Sequence, residues 1–293
     1  MEVTRLKSDC ISCIIKKHLT AYPEDAKEHD KIIYMKRILK AVAEAENYMS
    51  APEIVERINK IKENFFGKTD DFAEVKKHFN NLMLKEEKAL TEEIKKYENP
   101  LKRAFLIAMK GNYIDFGAMY KVDENVLKNS LYGITDDGAF DGEFSNLVKD
   151  LEKAKKLLYI TDNCGEIVAD KLFIKEIMKE FPDISVTALV RGREVLNDAT
   201  LSDAKDVGLD DMVKVITNGT GIPGTSLSEI SYDAKKAVFD ADVIISKGQG
   251  NFETLMYSRL NIYYIFMCKC KMFAERFNVE PFTGMLLNDM RMY

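Results

Sequence analysis

From about residue 150 onward the chain is built of five short apolar runs: "KKLLYIT" (155–161), "ISVTALVR" (184–191), "VKVIT" (213–217), "ADVIISK" (241–247) and "NIYYIFMCK" (261–269). Segments with helical spacing separate them: "EIVADKLFIKEIMKEF", "NDATLSDAKDVG" and "SEISYDAKKAVF". Short runs that are apolar on both faces and alternate with helices predict a parallel sheet covered on both sides. Such sheets bind ligands in the crevice beyond the carboxyl ends of their strands, near the switch in strand order. The pattern restricts this half to an α/β fold and directs attention to the residues that follow each run.

The first part of the chain has a different pattern. "DKIIYMKRILKAVAEAENY" and "DDFAEVKKHFNNLMLKEEKALTEEIKKYE" place apolar residues at three- and four-residue spacings. "SAPEIVERINKIKENFF" opens with Ser50, Pro52 and Glu53, a capping-box spacing. "PLKRAFLIAMKGN" reads as a buried helix that stops at Gly111. The expectation is an all-helical domain over 1–131, a linker or hinge over 132–150, and an α/β domain carrying the site over 151–293. The Gly- and Asp-rich "YGITDDGAFDGEF" (132–144) lacks the spacing and terminal Glu of a calcium loop, so it reads as ordinary loop.

With 46% hydrophobic and 31% charged residues, the 293-residue chain has the composition of a folded protein. Its 43 basic and 48 acidic residues are dispersed, for a net charge of −5, which leaves no footprint for nucleic acid. No apolar run is long enough to cross a bilayer, and "MEVTRLKSDC" lacks the features of a signal peptide. The odd count of 5 cysteines argues against a disulfide scaffold and for a cytoplasmic protein with reduced thiols. The 3 histidines, His18, His29 and His78, all lie in the first third. Chemistry in the second half must therefore run on carboxylates, amides, Lys, Arg, hydroxyls or a bound cation.

Four motifs follow the predicted strands. "TDNCGE" offers Asp162 and Asn163 as oxygen donors, with Glu166 opening a helix; "VRGREVLNDAT" carries Arg191 and repeats the amide–carboxylate pairing at Asn197-Asp198. "TNGTGIPGTS" is a loop of small and hydroxylated residues, and "SKGQGNFE" sets Lys247 beside Gly248, Gly250, Asn251 and Glu253. Asp, Asn and Gly serve strand-to-helix junctions in any case, but four such motifs at consecutive strand ends favour a shared site. Oxygen donors without imidazole suit a hard cation such as Mg²⁺ or Mn²⁺. A lysine beside a glycine-rich turn suits phosphate. Gly219, Gly221 and Gly224 match a dinucleotide fingerprint, but Pro223 delays the helix and the next strand ends in Lys247 where an acid is wanted.

At "DNCGEIVADK", "VRGREVLNDATLSDA" and "SKGQGNFE", and also at "GNYIDFG" (111–117) and "DCISCII", the sequence resembles the damage-control metal-dependent phosphatases, in their archaeal and bacterial branch. The resemblance implies a helical domain packed on a Rossmann-like three-layer α/β/α domain with a mostly parallel sheet. It implies Asp162, Asn163 and Asp198 as ligands of a divalent cation (Mg²⁺, Mn²⁺, Co²⁺ or Ni²⁺), and Lys247 with the Gly248–Asn251 turn as the phosphoryl grip. Asn112 and Asp115 would reach in from the helical side, and Arg191, Glu166 and Glu253 occupy motif positions without defined roles. The expected activity is hydrolysis of small phosphorylated metabolites such as sugar phosphates or damaged cofactor intermediates. Asp162 or Asp198 would act as a cation ligand or as a nucleophile. The competing readings are a binding module for a metal and a phospho-ligand, and an S-adenosylmethionine-dependent methyltransferase. Cys10 and Cys13, with Cys268 and Cys270, are expected to be small hydrophobes in the core, with a second metal site as the alternative.

Overall fold

The computed structural model describes residues 5–67, 72–114 and 123–292. Among the described residues seven helices come first: α1 (Ser8–His18), α2 (Glu28–Ala43), α3 (Ala51–Phe66), α4 (Ala73–Lys95), α5 (Pro100–Gly111), α6 (Glu124–Tyr132) and α7 (Asp141–Leu151). Strands and helices then alternate: β1 (Lys156–Ile160), α8 (Glu166–Glu180), β2 (Ser185–Val190), α9 (Leu201–Asp206), β3 (Lys214–Thr217), α10 (Tyr232–Asp240) and β4 (Val243–Lys247). The chain continues through α11 (Gln249–Leu255), β5 (Ile262–Cys268), α12 (Lys271–Phe277) and β6 (Thr283–Asn288).

The strands form one sheet in the order β3-β2-β1-β4-β5-β6, parallel except for β6, which runs antiparallel to β5. The chain winds outward from β1 to β3 and then returns to β4, so the strand order switches between β1 and β4. Side chains alternate between the two faces. Leu157 and Tyr159 of β1 join the core under α4, α5 and α8, while Leu158 and Ile160 join the core under α10, α11 and α12. This is the three-layer arrangement expected, with one strand more. "TGMLLN" (283–288) was not foreseen as β6, because a short antiparallel edge strand buried on both sides shows no period-two alternation.

Local signals set the helix ends. The N–H and the hydroxyl of Ser50 both donate to Glu53. Asn99 caps α5 by accepting from the Lys102 N–H. In "NDATLSDAKDVG" only Leu201–Asp206 is helical, opened by a capping box between Thr200 and Asp203. The stretch 132–150, expected as a linker or hinge, carries α7 over most of its second half, with Phe144, Leu147 and Leu151 buried. Helices α4 and α5 share a core with α8 and the sheet, whereas α1, α2 and α3 pack around a smaller core of their own. Among the described residues no helix is long and apolar enough to cross a membrane.

Phe105 of α5 lies at the centre of the shared core, its ring against Phe140, Phe144 and Phe173. Phe105→Ala should cost about 3–5 kcal/mol, read as a lower urea midpoint. Helix and sheet signals should be lost together, and a loss confined to the helical signal would contradict the common core.

Candidate active site

Asp162 leaves β1 and Gly248 leaves β4 at the switch in strand order, and the two meet there. Gly248 holds φ at +83°, and a Cβ on it would sit 2.0 Å from Asp162 Oδ2, so the carboxylate rests directly on backbone. Gly250 allows a similar approach, since a Cβ there would lie 2.1 Å from the Pro223 carbonyl oxygen. The loop after β2 is fastened to the loop after β1 as a short antiparallel bridge between Asn163 and Asp198. Cys164 N–H donates to Asn197 O at 2.8 Å, and Ala199 N–H to Asp162 O at 2.7 Å. Asp198 is thereby carried beside Asp162.

Arg191, 1% exposed, ties the two carboxylates together. Its Nε donates to Asp198 Oδ2 at 2.6 Å, its Nη2 to Asp162 Oδ1 at 3.3 Å and its Nη1 to Asn251 Oδ1 at 3.0 Å. Asn112, at the end of α5, donates through Nδ2 to Asp162 and Glu166 and accepts the Met267 N–H. Asn163 Nδ2 donates to Asp162 Oδ2 at 2.7 Å and to Glu166 Oε2 at 3.0 Å. Asp162, Asn163, Asp198, Arg191, Asn112, Glu166 and Asn251 thus belong to one buried network. Asp115 lies outside the described residues.

Two expected roles do not match the geometry, and a third motif residue, Glu253, lies off the network. Lys247 is fully buried, and its three protons go to Ala108 O (2.9 Å), Glu166 Oε1 (2.7 Å) and Asp170 Oδ1 (2.5 Å). It lies beneath the carboxylates with no donor left for a phosphoryl group. The Gly248–Asn251 turn is similarly committed: Gly248 N–H donates to Ile265 O, and Asn251 Nδ2 donates to the carbonyls of Thr161 and Lys247. Both glycines serve close packing. Glu253 is two residues past Asn251 on α11 and so points to the opposite side. It accepts from Gln249, and burial pushes its carboxyl up to about 7.

Two members of the network were not anticipated. Asp170 lies one helical turn beyond Glu166 on α8, and Tyr159 Oη donates to it at 2.8 Å. The available signal was an i, i+4 pair of acids on a helix otherwise apolar around that face. One ammonium serves two carboxylates here. Burial pushes Asp170 above the usual carboxylate range against the pull of Lys247, and Glu166 adds to the rise. For Lys247 burial acts to lower the pKa, but Asp170 and Glu166 outweigh it and hold the ammonium protonated.

The donor set fits a hard cation. Asp162 and Asp198 lie within the span of one guanidinium. Asn163 commits its Nδ2 to neighbours, while its Oδ1 takes no hydrogen bond among the described residues. Two carboxylates and an amide oxygen suit Mg²⁺ or Mn²⁺ better than zinc. Among the described residues no group of three or more His, Cys, Asp or Glu is placed to hold a metal. Cys10, Cys13, Cys164, Cys268 and Cys270 are free thiols. Cys13 is exposed and Cys10 and Cys270 are half-buried, so of the four cysteines expected in the core only Cys268 is buried. Burial pushes the Cys164 thiol well up, which suits a spacer rather than a reactive thiolate.

A cleft of about 710 Å³ opens between α3, α4 and the loops after β2 and β3, and no residue of the network lines it. Its lining includes Glu56, Lys60, Lys76, Arg193 and Asp203, together with Val195 and Leu196 just ahead of Asn197-Asp198. The glycines of the dinucleotide-like motif pack loops together: a Cβ on Gly192 would strike Gly219, and one on Gly224 would strike Gly250 and Thr254. They open no helix, since α10 begins only at Tyr232.

Residues 6–283 match the family model of the damage-control phosphatase ARMT1-like domain. An uncharacterized protein of Methanocaldococcus jannaschii is 34% identical over 98% of this chain and 96% of its own length. A damage-control phosphatase of Archaeoglobus fulgidus is 32% identical over 80% of this chain and 83% of its own. The crystal structure of a DUF89 family protein from Pyrococcus horikoshii superposes with a TM-score of 0.76 at 27% identity, covering 97% of this chain and 99% of that one.

Glu253 offers a test of its placement off the network. Its pKa in the folded chain, about 7, stands above the ordinary 4.5. Its contribution to stability is therefore full below about pH 4.5 and is lost as the pH rises through 7. Glu253→Gln should match the parent's thermal midpoint at pH 4 and exceed it by a few degrees at pH 8, on the order of 1–2 kcal/mol after allowance for partial solvent contact. An equal change at both pH values would contradict the buried placement.

Proposed function

The chain belongs to the damage-control phosphatase ARMT1-like domain family, and from that membership we propose a divalent-metal-dependent phosphatase that hydrolyses small phosphorylated metabolites in the cytoplasm. The observation that carries the metal dependence is the meeting of Asp162, Asn163 and Asp198 at the switch between β1 and β4. Family membership favours phosphoryl chemistry over the methyltransferase reading.

In this reading Asp162, Asn163 and Asp198 hold the cation. When bound, the cation supplies Lewis acidity at a phosphoryl oxygen and a water made acidic enough to act near neutral pH. Arg191 takes the part first expected of Lys247: its guanidinium stands against both carboxylates and offsets negative charge that develops in front of them. Asn112 and Glu166 keep the amide and carboxylate groups in place before substrate arrives, so little reorganisation is needed during the reaction. Both aspartates are held by neighbours, which suits ligands more than a mobile nucleophile.

Phosphate release across a panel of phosphometabolites, run with Mg²⁺, Mn²⁺, Co²⁺ and Ni²⁺ in turn, tests this. Activity should vanish with chelator and return with at least one ion. Asp162→Asn and Asp198→Asn should each lower kcat by about 10³-fold or more while circular dichroism shows the fold retained. Full turnover in chelator, or in either variant, would sink the assignment.

A further inference from the structure

A buried chain of hydrogen bonds approaches the cation site from beneath the sheet ends. Tyr159 Oη and Lys247 Nζ both donate to Asp170 Oδ1; Lys247 also donates to Glu166, and Glu166 accepts Nδ2 of Asn163 at 3.0 Å. Tyr159, Asp170, Lys247 and Glu166 are all fully buried. The two ends of an Asn amide have nearly the same shape, so only hydrogen bonding decides which end faces a ligand. Here two acceptors take the Asn163 nitrogen, Asp162 Oδ2 at 2.7 Å and Glu166 Oε2 at 3.0 Å, and Glu166 is the one fixed by Lys247. With both amide protons used, the amide oxygen is the end left without a hydrogen bond among the described residues, and it is the end that carries a lone pair for a cation.

Glu166 is fixed because Lys247 is, and Lys247 is shared between Glu166 and Asp170. An ammonium and two carboxylates without solvent are costly for a fold, and apolar residues of the same volume would often be as stabilising. Asp170 Oδ2 even lacks a hydrogen-bond partner among the described residues. Stability alone gives little reason for these charges, whereas an amide that must be oriented does. We propose that Asp170 is a positioning residue for the cation site: by anchoring Lys247 against Glu166, it holds one of the two acceptors that orient the Asn163 amide and so strengthens the affinity for the ion. This rests on the reading that Asp162, Asn163 and Asp198 hold the cation.

Mn²⁺ binding to the full chain, measured by titration calorimetry, separates the two ideas. Relative to wild type, Asp170→Asn should weaken Mn²⁺ binding by about 10–100-fold, the range for partners that orient metal ligands. The Mn²⁺ concentration for half-maximal activity should rise by the same factor, with a smaller fall in kcat at saturating Mn²⁺. Tyr159→Phe, which keeps the ring and removes one donor to Asp170, should shift the affinity in the same direction, and it decides the matter should Asp170→Asn fail to fold. If wild type binds no Mn²⁺, or Asn163→Ala binds it unchanged, the cation reading itself falls and the positioning role with it. If wild type binds, Asn163→Ala does not, and both Asp170→Asn and Tyr159→Phe bind as wild type does, only the positioning role is overturned. A fall in kcat with unaltered affinity also overturns it.

Discussion

Asp162 and Gly248 close on each other because β1 and β4 run parallel and in register, with Ile160 beside Ser246. Two residues further along each strand the chain has left the sheet at the same level, Asp162 offering a carboxylate and Gly248 bare backbone. No other residue type fits at Gly248, where both the backbone angle and the carboxylate oppose a side chain. With Asp162 seated there, its own carbonyl receives Ala199 N–H and its carboxylate receives Arg191, Asn112 and Asn163. Arg191 then gathers Asp198 and Asn251. The network grows from that single close approach.

The helical layer takes part because α5 belongs to the core of the α/β layer. It ends where Asn112 drops its amide between Asp162, Glu166 and the backbone of β5. Helix α4 adds Asn80, which accepts Gly165 N–H at the start of α8 and donates to Asp203. Lys76 of the same helix pairs with Asp203 at 2.7 Å and with Glu194. These polar contacts cross a shared apolar interface, so the loops that carry Asn163 and Asp198 are held from above as well as from the sheet.

The five parallel strands were legible because each is a short run, apolar on both faces and bounded by turn residues. The ligand candidates were legible because Asp162-Asn163 and Asn197-Asp198 sit at strand ends, where side chains have nowhere to go but the crevice. Lys247 also follows an apolar run, yet it points down. Orientation at a strand end depends on which acids lie beneath, and Asp170 comes from a helix 77 residues earlier. Glu253 went astray for a related reason: the phase of α11 is set by packing Asn251 toward Arg191, which the spacing in "SKGQGNFE" does not disclose. Asp170 itself was hidden as one more acid on an amphipathic helix.

The walls of the cleft come from structurally separate neighbourhoods. Helix α3 is rooted in the small core it shares with α1 and α2, and meets the sheet loops through Glu53 to Ser226 and Glu56 to Arg193. Helix α4, across the gap, is rooted in the main core. Altering how α1 and α2 pack shifts one jaw of this vice while leaving the strand tips untouched. Descendants of such a chain can therefore reshape that wall by drift in α1, α2 and α3 and keep the arrangement of strand tips they inherited.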